Sequence, residues 1–186
     1  MQRFLPAAGL SLVLFACNRA EKAPAQPAPQ PPVPVEEAQR LIKGLSETLL
    51  GELQTAMGEK GPAAAIGICA DRAPEVAKSL ATGAYQVRRI GTRVRNKERN
   101  TPTAAELEVL ATLSPEKPTF QGEIDGKPVF MKALYIPGAL CLTCHGAPDA
   151  IPADVQAALA ERYPEDAATG SAVGDLRGAL IVEPKP

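Results

Sequence analysis

Five consecutive residues, Cys141-Leu142-Thr143-Cys144-His145, form the pattern in this chain that points to a specific chemistry. Two cysteines separated by two residues and followed at once by histidine are typical of covalent c-type haem attachment. The two sulfurs can form thioethers with the two vinyl groups on one edge of a porphyrin, which leaves the next imidazole beneath the iron. The pattern therefore predicts one covalent haem c, with Cys141 and Cys144 as the thioether pair and His145 as the proximal ligand.

Three alternatives stay open for this CxxCH segment, residues 141–145. Cys141 and Cys144 could form a disulfide or a thiol–disulfide redox pair. A structural zinc site could use Cys69 together with both cysteines and His145, although adjacent Cys144 and His145 would strain the backbone around one tetrahedral ion. The third alternative is coincidence.

The sixth coordination position of the iron cannot be a second histidine, because His145 is the only one in the chain. The remaining candidates are Cys69, Met57, Met131, a lysine, water or no ligand at all. Met57 ends an apolar helical stripe and Met131 lies within a predicted core strand. Cys69 lies on an apolar helix face that we expect to point inward, where a lone cysteine commonly acts as a small buried hydrophobe.

The N-terminus has the features of an export signal. Arg3 precedes a short apolar run from Leu5 to Phe15, which is too short for a permanent membrane span. The run ends in Ala16-Cys17, which looks like a bacterial lipobox and predicts a lipoprotein signal over residues 1–16 with lipidation of Cys17. A plain secretory signal is the alternative. Either signal predicts export, and lipidation predicts attachment on the periplasmic side of a membrane.

The composition suits one domain behind a spacer. Residues 17–34 are rich in proline and predict an extended spacer, which leaves residues 35–186 for the folded domain. A net charge of −1 and a pI of about 5.9 do not indicate a nucleic-acid-binding protein.

Hydrophobic periodicity and turn signals predict a series of helices and strands. The predicted helices are Val35–Met57, one from Pro62 that Pro74 kinks or splits, Thr103–Leu113 and Pro152–Tyr163; the strands are Tyr85–Val94, Thr119–Ile124, Lys127–Ile136 and Gly178–Val182, with the CxxCH segment in a loop.

This order of elements predicts an α+β fold with a small antiparallel sheet flanked by helices and an N-terminal amphipathic helix. From Gly61 to Val182 the chain also resembles a bacterial family of PAS-like domains that bind c-type haem and are regarded as redox or gas sensors. The segments that carry the resemblance are Gly61–Ile66 leading to Cys69, Ala73-Pro74, Arg93–Asn96, Phe130–Ala133, Cys141–Gly146, Tyr163–Gly170 and Gly174–Gly178.

The resemblance implies a PAS-like haem domain in which Cys69 is the distal iron ligand. A thiolate ligand would favour ferric iron, and its loss on reduction would open a position for a diatomic gas. Members of the family often carry an output domain, and none follows the last predicted strand here. A sensing role therefore implies a separate redox or signalling partner protein. A low-potential electron-transfer cytochrome is the alternative function.

Several other residues are candidates for a role at the haem. Arg95 is the predicted partner of a haem propionate. It belongs to a basic cluster that is either a docking patch or a solvated strand face. Asp175 and Arg177 are predicted to have only a structural role in a glycine-flanked turn. No residue set for hydrolysis or group transfer stands out, and a haem peroxidase would need distal acid–base groups, so we expect no enzyme. The basic cluster comprises Arg88, Arg89, Arg93, Arg95, Lys97 and Arg99.

Overall fold

The computed structural model describes residues 30–186 and contains a four-stranded antiparallel sheet. Its strands are β1 (Tyr85–Gly91), β2 (Thr119–Ile124), β3 (Lys127–Tyr135) and β4 (Leu176–Pro184), arranged in the order β1-β4-β3-β2. The last strand therefore lies in the middle of the sheet and joins β1 to the β2–β3 hairpin. Because helices flank this sheet, the predicted α+β fold is confirmed.

The helices precede, interrupt and follow the strands. Between β1 and the hairpin lie two short helices, and between the hairpin and β4 lie two more. In chain order they are α1 (Val35–Lys60), a 3₁₀ turn (Pro62–Ala64), α2 (Ala65–Gly67), a π-helical turn (Ile68–Arg72), α3 (Ala73–Leu80), α4 (Lys97–Asn100), α5 (Ala104–Ala111), α6 (Ala139–His145), a 3₁₀ turn (Pro148–Ala150) and α7 (Ala153–Arg162).

Local sequence signals place several of these elements correctly. Asp125 and Gly126 both have positive φ, at 51° and 73°, as the two-residue hairpin between β2 and β3 requires. Thr103 caps α5, and its side chain and Glu106 form a reciprocal capping box. The predicted first strand is shorter than expected, since β1 ends at Gly91 rather than Val94.

The sequence predicted that Pro74 kinks or splits its helix; the chain stays helical from Pro62 to Leu80, but a π-helical turn interrupts the α-helix just before Pro74. Proline has no N–H to offer the carbonyl four residues earlier, which belongs to Ala70, and its ring crowds that carbonyl. The chain widens into the π-helical turn just before α3, and Arg99 Nη1 donates to the Ala70 carbonyl at 3.4 Å instead. Single π turns of this kind are frequent at functional sites.

The prediction of a loop for the CxxCH segment was wrong, because it lies in α6. Gly138 precedes this helix and Gly146 follows it, with the Gly146 amide donating to the Leu142 carbonyl at 2.8 Å. A helix of seven residues is too short to reveal itself by hydrophobic periodicity, which needs a window of about 11–18 residues.

Two hydrophobic clusters cover the two faces of the sheet. On one face, the buried N-terminal half of α1 packs with residues of α3, β1, β3 and β4. On the other, α5 packs against the central strands around Met131 and Ile181. Val33 is fully buried in the first cluster, and Gln121 Nε2 donates to its carbonyl at 2.7 Å. The packed part of the chain therefore begins two residues before Val35.

Candidate functional site

A cavity of about 500 Å³ lies between the helices and the α1-facing side of the sheet. The C-terminal half of α1 forms one apolar wall with Leu49, Leu53 and Met57. The predicted apolar stripe of α1 thus has two roles: its first half is buried in the core, and its second half is only partly buried and faces the cavity. The opposite wall is formed by α6, and the volume is within the range of small-molecule and cofactor sites.

All three chemically important residues of the CxxCH segment line this cavity. Cys141, Cys144 and His145 occupy positions i, i+3 and i+4 of α6, and residues at this spacing share one face of a helix. The two cysteines are free thiols, partly exposed, and burial raises the pKa of both. The short helix therefore presents two protonated thiols and an imidazole to the same space.

His145 is held with one ring nitrogen occupied and the other available. Its Nδ1 lies 2.8 Å from the carbonyl oxygen of Ala168. Because a carbonyl can only accept, Nδ1 carries the proton and Nε2 keeps its lone pair. Burial and the nearby charges of Arg95 and Arg177 lower the pKa of His145 to about 3, which outweighs the opposing effect of the Ala168 hydrogen bond. The side chain is therefore neutral at physiological pH, as a metal-ligating histidine must be.

Cys69 lines the same cavity from the π-helical turn. The prediction that it points into the protein interior, away from solvent, was wrong, because the residue is exposed to solvent. The residue lies within the π-helical turn, where the regular 3.6-residue spacing that the prediction assumed does not hold. Cys69 thus combines accessibility with a position on the wall of the cavity that also contains His145.

The structure separates the other candidates for a distal ligand. Met57 lines the cavity, whereas Met131 is fully buried in the cluster on the opposite face of the sheet. No lysine is among the cavity-lining residues within 30–186. In the same part of the chain, no group of three or more His, Cys, Asp or Glu side chains is arranged to hold a metal ion. This arrangement weighs against the zinc alternative, while Cys69 and Met57 both keep access to the site.

Arg95, the predicted propionate partner, lines the cavity, but protein groups occupy much of its guanidinium. Its side chain is 7% exposed; Nε donates to Asp166 Oδ2 at 3.0 Å and Nη2 donates to the Cys144 carbonyl at 2.6 Å. The guanidinium also lies 6.0 Å from the ring centre of Tyr163. Arg95 therefore connects α6 to the segment after α7, a role that the sequence did not reveal.

Two other arginines, Arg89 and Arg177, present unsatisfied donors at the cavity. Both line it, and the Nε of each is buried without a hydrogen-bond partner within the described residues. Burial lowers the pKa of both; mutual repulsion contributes for Arg177, whose pKa falls to about 9. Arg177 lies in β4 rather than in the predicted turn, and its side chain lines the cavity. Buried cationic donors of this kind fit an anionic group such as a carboxylate.

A β-bulge directs Arg177 towards the cavity. Leu134 pairs with Gly178 and Tyr135 pairs with Leu176, so Arg177 is the extra residue of β4. Such an insertion re-aims a side chain relative to regular strand alternation. Arg89 shares its strand face with Val87, two residues earlier, and Val87 is part of the core next to α1. The alternation of side chains along β1 therefore could have predicted that Arg89 faces inward. No pattern in the sequence around Arg177 predicted the bulge in β4.

Most of the predicted basic cluster is engaged with partners inside the protein. Arg88 bonds to Glu106 and Glu183, and Lys97 pairs with Glu165. Arg93 donates to the Gly170 carbonyl at 3.0 Å and to Ser171 Oγ at 2.9 Å. Carboxylates of the same chain therefore pair with Arg88 and Lys97, and backbone and hydroxyl groups bind Arg93.

The predicted lipidation site Cys17, the signal over 1–16 and most of the 17–34 spacer lie outside the described residues. Within residues 30–186, no helix has the length and apolar character needed to cross a bilayer.

The comparisons with known proteins agree on one family. The family model described as Tll0287-like matches residues 22–184. The chain is also similar to a solved structure, described as the crystal structure of the cyanobacterial heme-protein Tll0287, with 27% sequence identity and a TM-score of 0.61. That match covers 83% of this chain and 98% of the other. No curated protein matches the chain.

Proposed function

This chain belongs to the Tll0287-like family, and on that premise we propose that it is an exported protein that binds one haem c covalently and responds to redox state or to a diatomic gas. The observation that carries the proposal is the common face of α6, where Cys141, Cys144 and His145 all line one cavity while the Ala168 carbonyl occupies Nδ1 of the imidazole. The heme-protein described for the similar solved structure supports the same cofactor.

Each group at the cavity has a role in this proposal. Cys141 and Cys144 would provide the thioether links, and His145 Nε2 would be the proximal ligand. Arg89 and Arg177 would bind the propionate carboxylates, since their buried Nε donors need anionic partners. A bound haem would supply one-electron exchange and a binding position for a small gas.

Cys69 is the distal ligand in this proposal. It lies on the wall of the cavity that also contains His145, within the π-helical turn that precedes α3. The π turn that carries it is a local distortion of the helix rather than a fixed part of the sheet. Met57 is the remaining sulfur candidate on the same cavity, and the experiments below separate the two.

A low-potential electron carrier is the second candidate function. Leu140, next to Cys141, is 40% exposed at the edge of the cavity, and Leu50 on the facing helix is 50% exposed. An attachment site so close to the surface favours electron exchange with a docked protein. In either role we propose that Cys17 is lipidated, that the domain lies on the periplasmic side of a membrane, that a redox or signalling protein is its partner, and that it has no enzymatic activity of its own.

Covalent haem attachment is tested by producing the chain with a cytochrome c maturation system. We expect haem absorbance that stays with the denatured polypeptide, one haem per chain by mass, and its loss in the Cys141→Ser/Cys144→Ser variant. Cys69→Ser is the matched control, because it removes a thiol from the same cavity outside the attachment motif. A wild-type protein without covalent haem would refute the proposal.

The distal ligand is tested by optical and EPR spectra of the ferric and ferrous holoprotein. We expect a low-spin thiolate signature that disappears in Cys69→Ala and persists in Met57→Leu. Loss of the thiolate signature on reduction, with CO binding as fast to ferrous wild type as to ferrous Cys69→Ala, would support a redox-gated gas site. Unchanged ligation on reduction, together with fast electron self-exchange, would favour the electron carrier instead.

A further inference from the structure

The loop of residues 163–171, which follows α7, wraps around the imidazole and backbone of His145. The Ala168 carbonyl accepts from His145 Nδ1 at 2.8 Å. The Ser171 amide donates to the carbonyl of His145 itself at 2.8 Å, and the Gly170 amide donates to the Gly146 carbonyl at 2.6 Å. This 163–171 loop therefore contacts both the side chain and the main chain of the histidine that ends α6.

The group that orients the imidazole is the backbone carbonyl of Ala168, so the position of this carbonyl depends on the contacts that hold the 163–171 loop. Asp166 Oδ1 accepts from the Ala168 amide at 2.7 Å, which fixes the peptide next to the critical carbonyl. The other oxygen of the same carboxylate, Oδ2, accepts from Arg95 Nε at 3.0 Å. The Ala167 amide adds a bond to the Val94 carbonyl at 3.0 Å.

Arg95 carries the connection from the loop back to α6. Its Nη2 donates to the Cys144 carbonyl at 2.6 Å, one residue before His145. The last carbonyls of a helix have no partner within the helix, and a cation there is favourable to the helix dipole. The ion pair is almost fully buried, with side-chain exposures of 7% and 11% for Arg95 and Asp166.

We propose that Asp166 and Arg95 are positioning residues for His145: together they hold the Ala168 carbonyl and the end of α6 in the geometry that keeps Nδ1–H bonded and directs Nε2 into the cavity. The inference rests on the proposed function, since it gives His145 the role of proximal ligand. Partners of the second ring nitrogen commonly fix the tautomer and orientation of a ligating histidine. The role also explains Arg95 better than the predicted contact with a propionate.

The neighbouring ion pair provides a matched control. Lys97 and Glu165 join the same two segments next to Arg95 and Asp166, but their side chains are 59% and 69% exposed. The structure gives them no bond to Ala168, to α6 or to His145. Glu165→Ala therefore removes one carboxylate from the 163–171 loop without breaking a hydrogen bond to the Ala168 peptide or to α6. Its effect measures what the loss of a carboxylate in this loop does by itself.

The test measures the Nδ1–H proton of His145 directly in the ferrous holoprotein. Because the chain has one histidine, ¹⁵N-histidine labelling reports His145 alone. We expect hydrogen exchange at Nδ1 to become about tenfold faster or more in Asp166→Ala, as the loss of a charge-assisted hydrogen bond suggests. The midpoint potential should shift as well, while Glu165→Ala should match wild type in both measurements.

A second variant guards against failure to fold. Asp166→Asn keeps an acceptor for the Ala168 amide but removes the charge that Arg95 neutralises, so we expect faster exchange than in wild type and slower exchange than in Asp166→Ala. Circular dichroism and covalent haem content check that each variant is folded and loaded. Equal exchange and equal potential in wild type and both Asp166 variants would overturn the positioning role. Absence of covalent haem from wild type would instead refute the proposed function.

Discussion

Replacing Gly178 with alanine tests whether the β4 bulge that places Arg177 at the cavity is required by the fold. Gly178 has φ of 142°, a conformation that residues with a side chain rarely adopt. A Cβ at this position would lie 2.1 Å from the Ile90 carbonyl oxygen and 2.9 Å from Gly91 Cα. Both are backbone atoms of β1, which pairs with β4 here, so neither can move aside as a flexible side chain would.

The expected loss of stability is large. A side chain held in a glycine-only conformation costs about 1–3 kcal/mol, and overpacking against fixed neighbours costs about 1–3 kcal/mol. Their sum, about 2–6 kcal/mol, compares with a total stability of about 5–15 kcal/mol for a typical domain. Relief of the overlap would require β4 to move away from β1, and this movement would also displace the neighbouring Arg177.

The assay is urea unfolding of Gly178→Ala followed by circular dichroism. Gly58→Ala is the matched control, because Gly58 lies within α1 and a Cβ there meets nothing within 4 Å. We expect the control to gain about 0.5–1 kcal/mol, since alanine is the better helix former. If Gly178→Ala lost less than about 1 kcal/mol, the bulge would be adaptable and the steric argument would fail.

Three further predictions concern charge, pH and sulfur. Arg88→Ala should cost about 2–3 kcal/mol in urea unfolding, because it leaves the Glu106 carboxylate, 5% exposed, without its cationic partner; a loss below about 0.5 kcal/mol would contradict this. The pH prediction concerns haem-free protein in which both CxxCH cysteines are changed to serine. Folding lowers the pKa of His145 from 6.5 to about 3, so between these values the unfolded chain binds a proton that the folded chain does not. Stability should therefore fall as pH drops from about 6.5 towards 3, by at most about 1.4 kcal/mol per pH unit, and removal of the imidazole in His145→Ala should abolish that part of the slope. Met131→Leu should change stability by less than about 1.5 kcal/mol and leave the haem spectra unchanged, since this side chain packs on the far face of the sheet; an altered axial signature would show that this assignment of faces is mistaken.

The parts of the site that the sequence determined are those set by local chain geometry. The CxxCH motif places two thiols and an imidazole within five consecutive residues, and the helical backbone of α6 then gives them a common face. The hairpin at Asp125-Gly126 and the cap at Thr103 follow from residues whose backbone or side-chain preferences act within a few positions. The apolar stripe of α1 likewise follows from periodicity alone.

Tertiary structure decided which residues meet these groups in space. Cys69 and Met57 reach the cavity and Met131 does not, because Met131 lies on the other face of the sheet. The partners Arg95 and Asp166 are 71 residues apart, and no local pattern predicts such a pair. Arg177 faces the cavity only because β4 carries one more residue than β3 at the bulge.

The physical reason for this division is the range of the forces involved. Turn, cap and helix-face preferences act over three or four residues and can be read along the chain. The lowered pKa of His145 arises from burial and from Arg95 and Arg177, whose distances from it depend on how the sheet, α6 and the 163–171 loop pack. The sequence alone indicated the proposed attachment motif, and packing of distant segments determined the charge and surroundings of the groups around it.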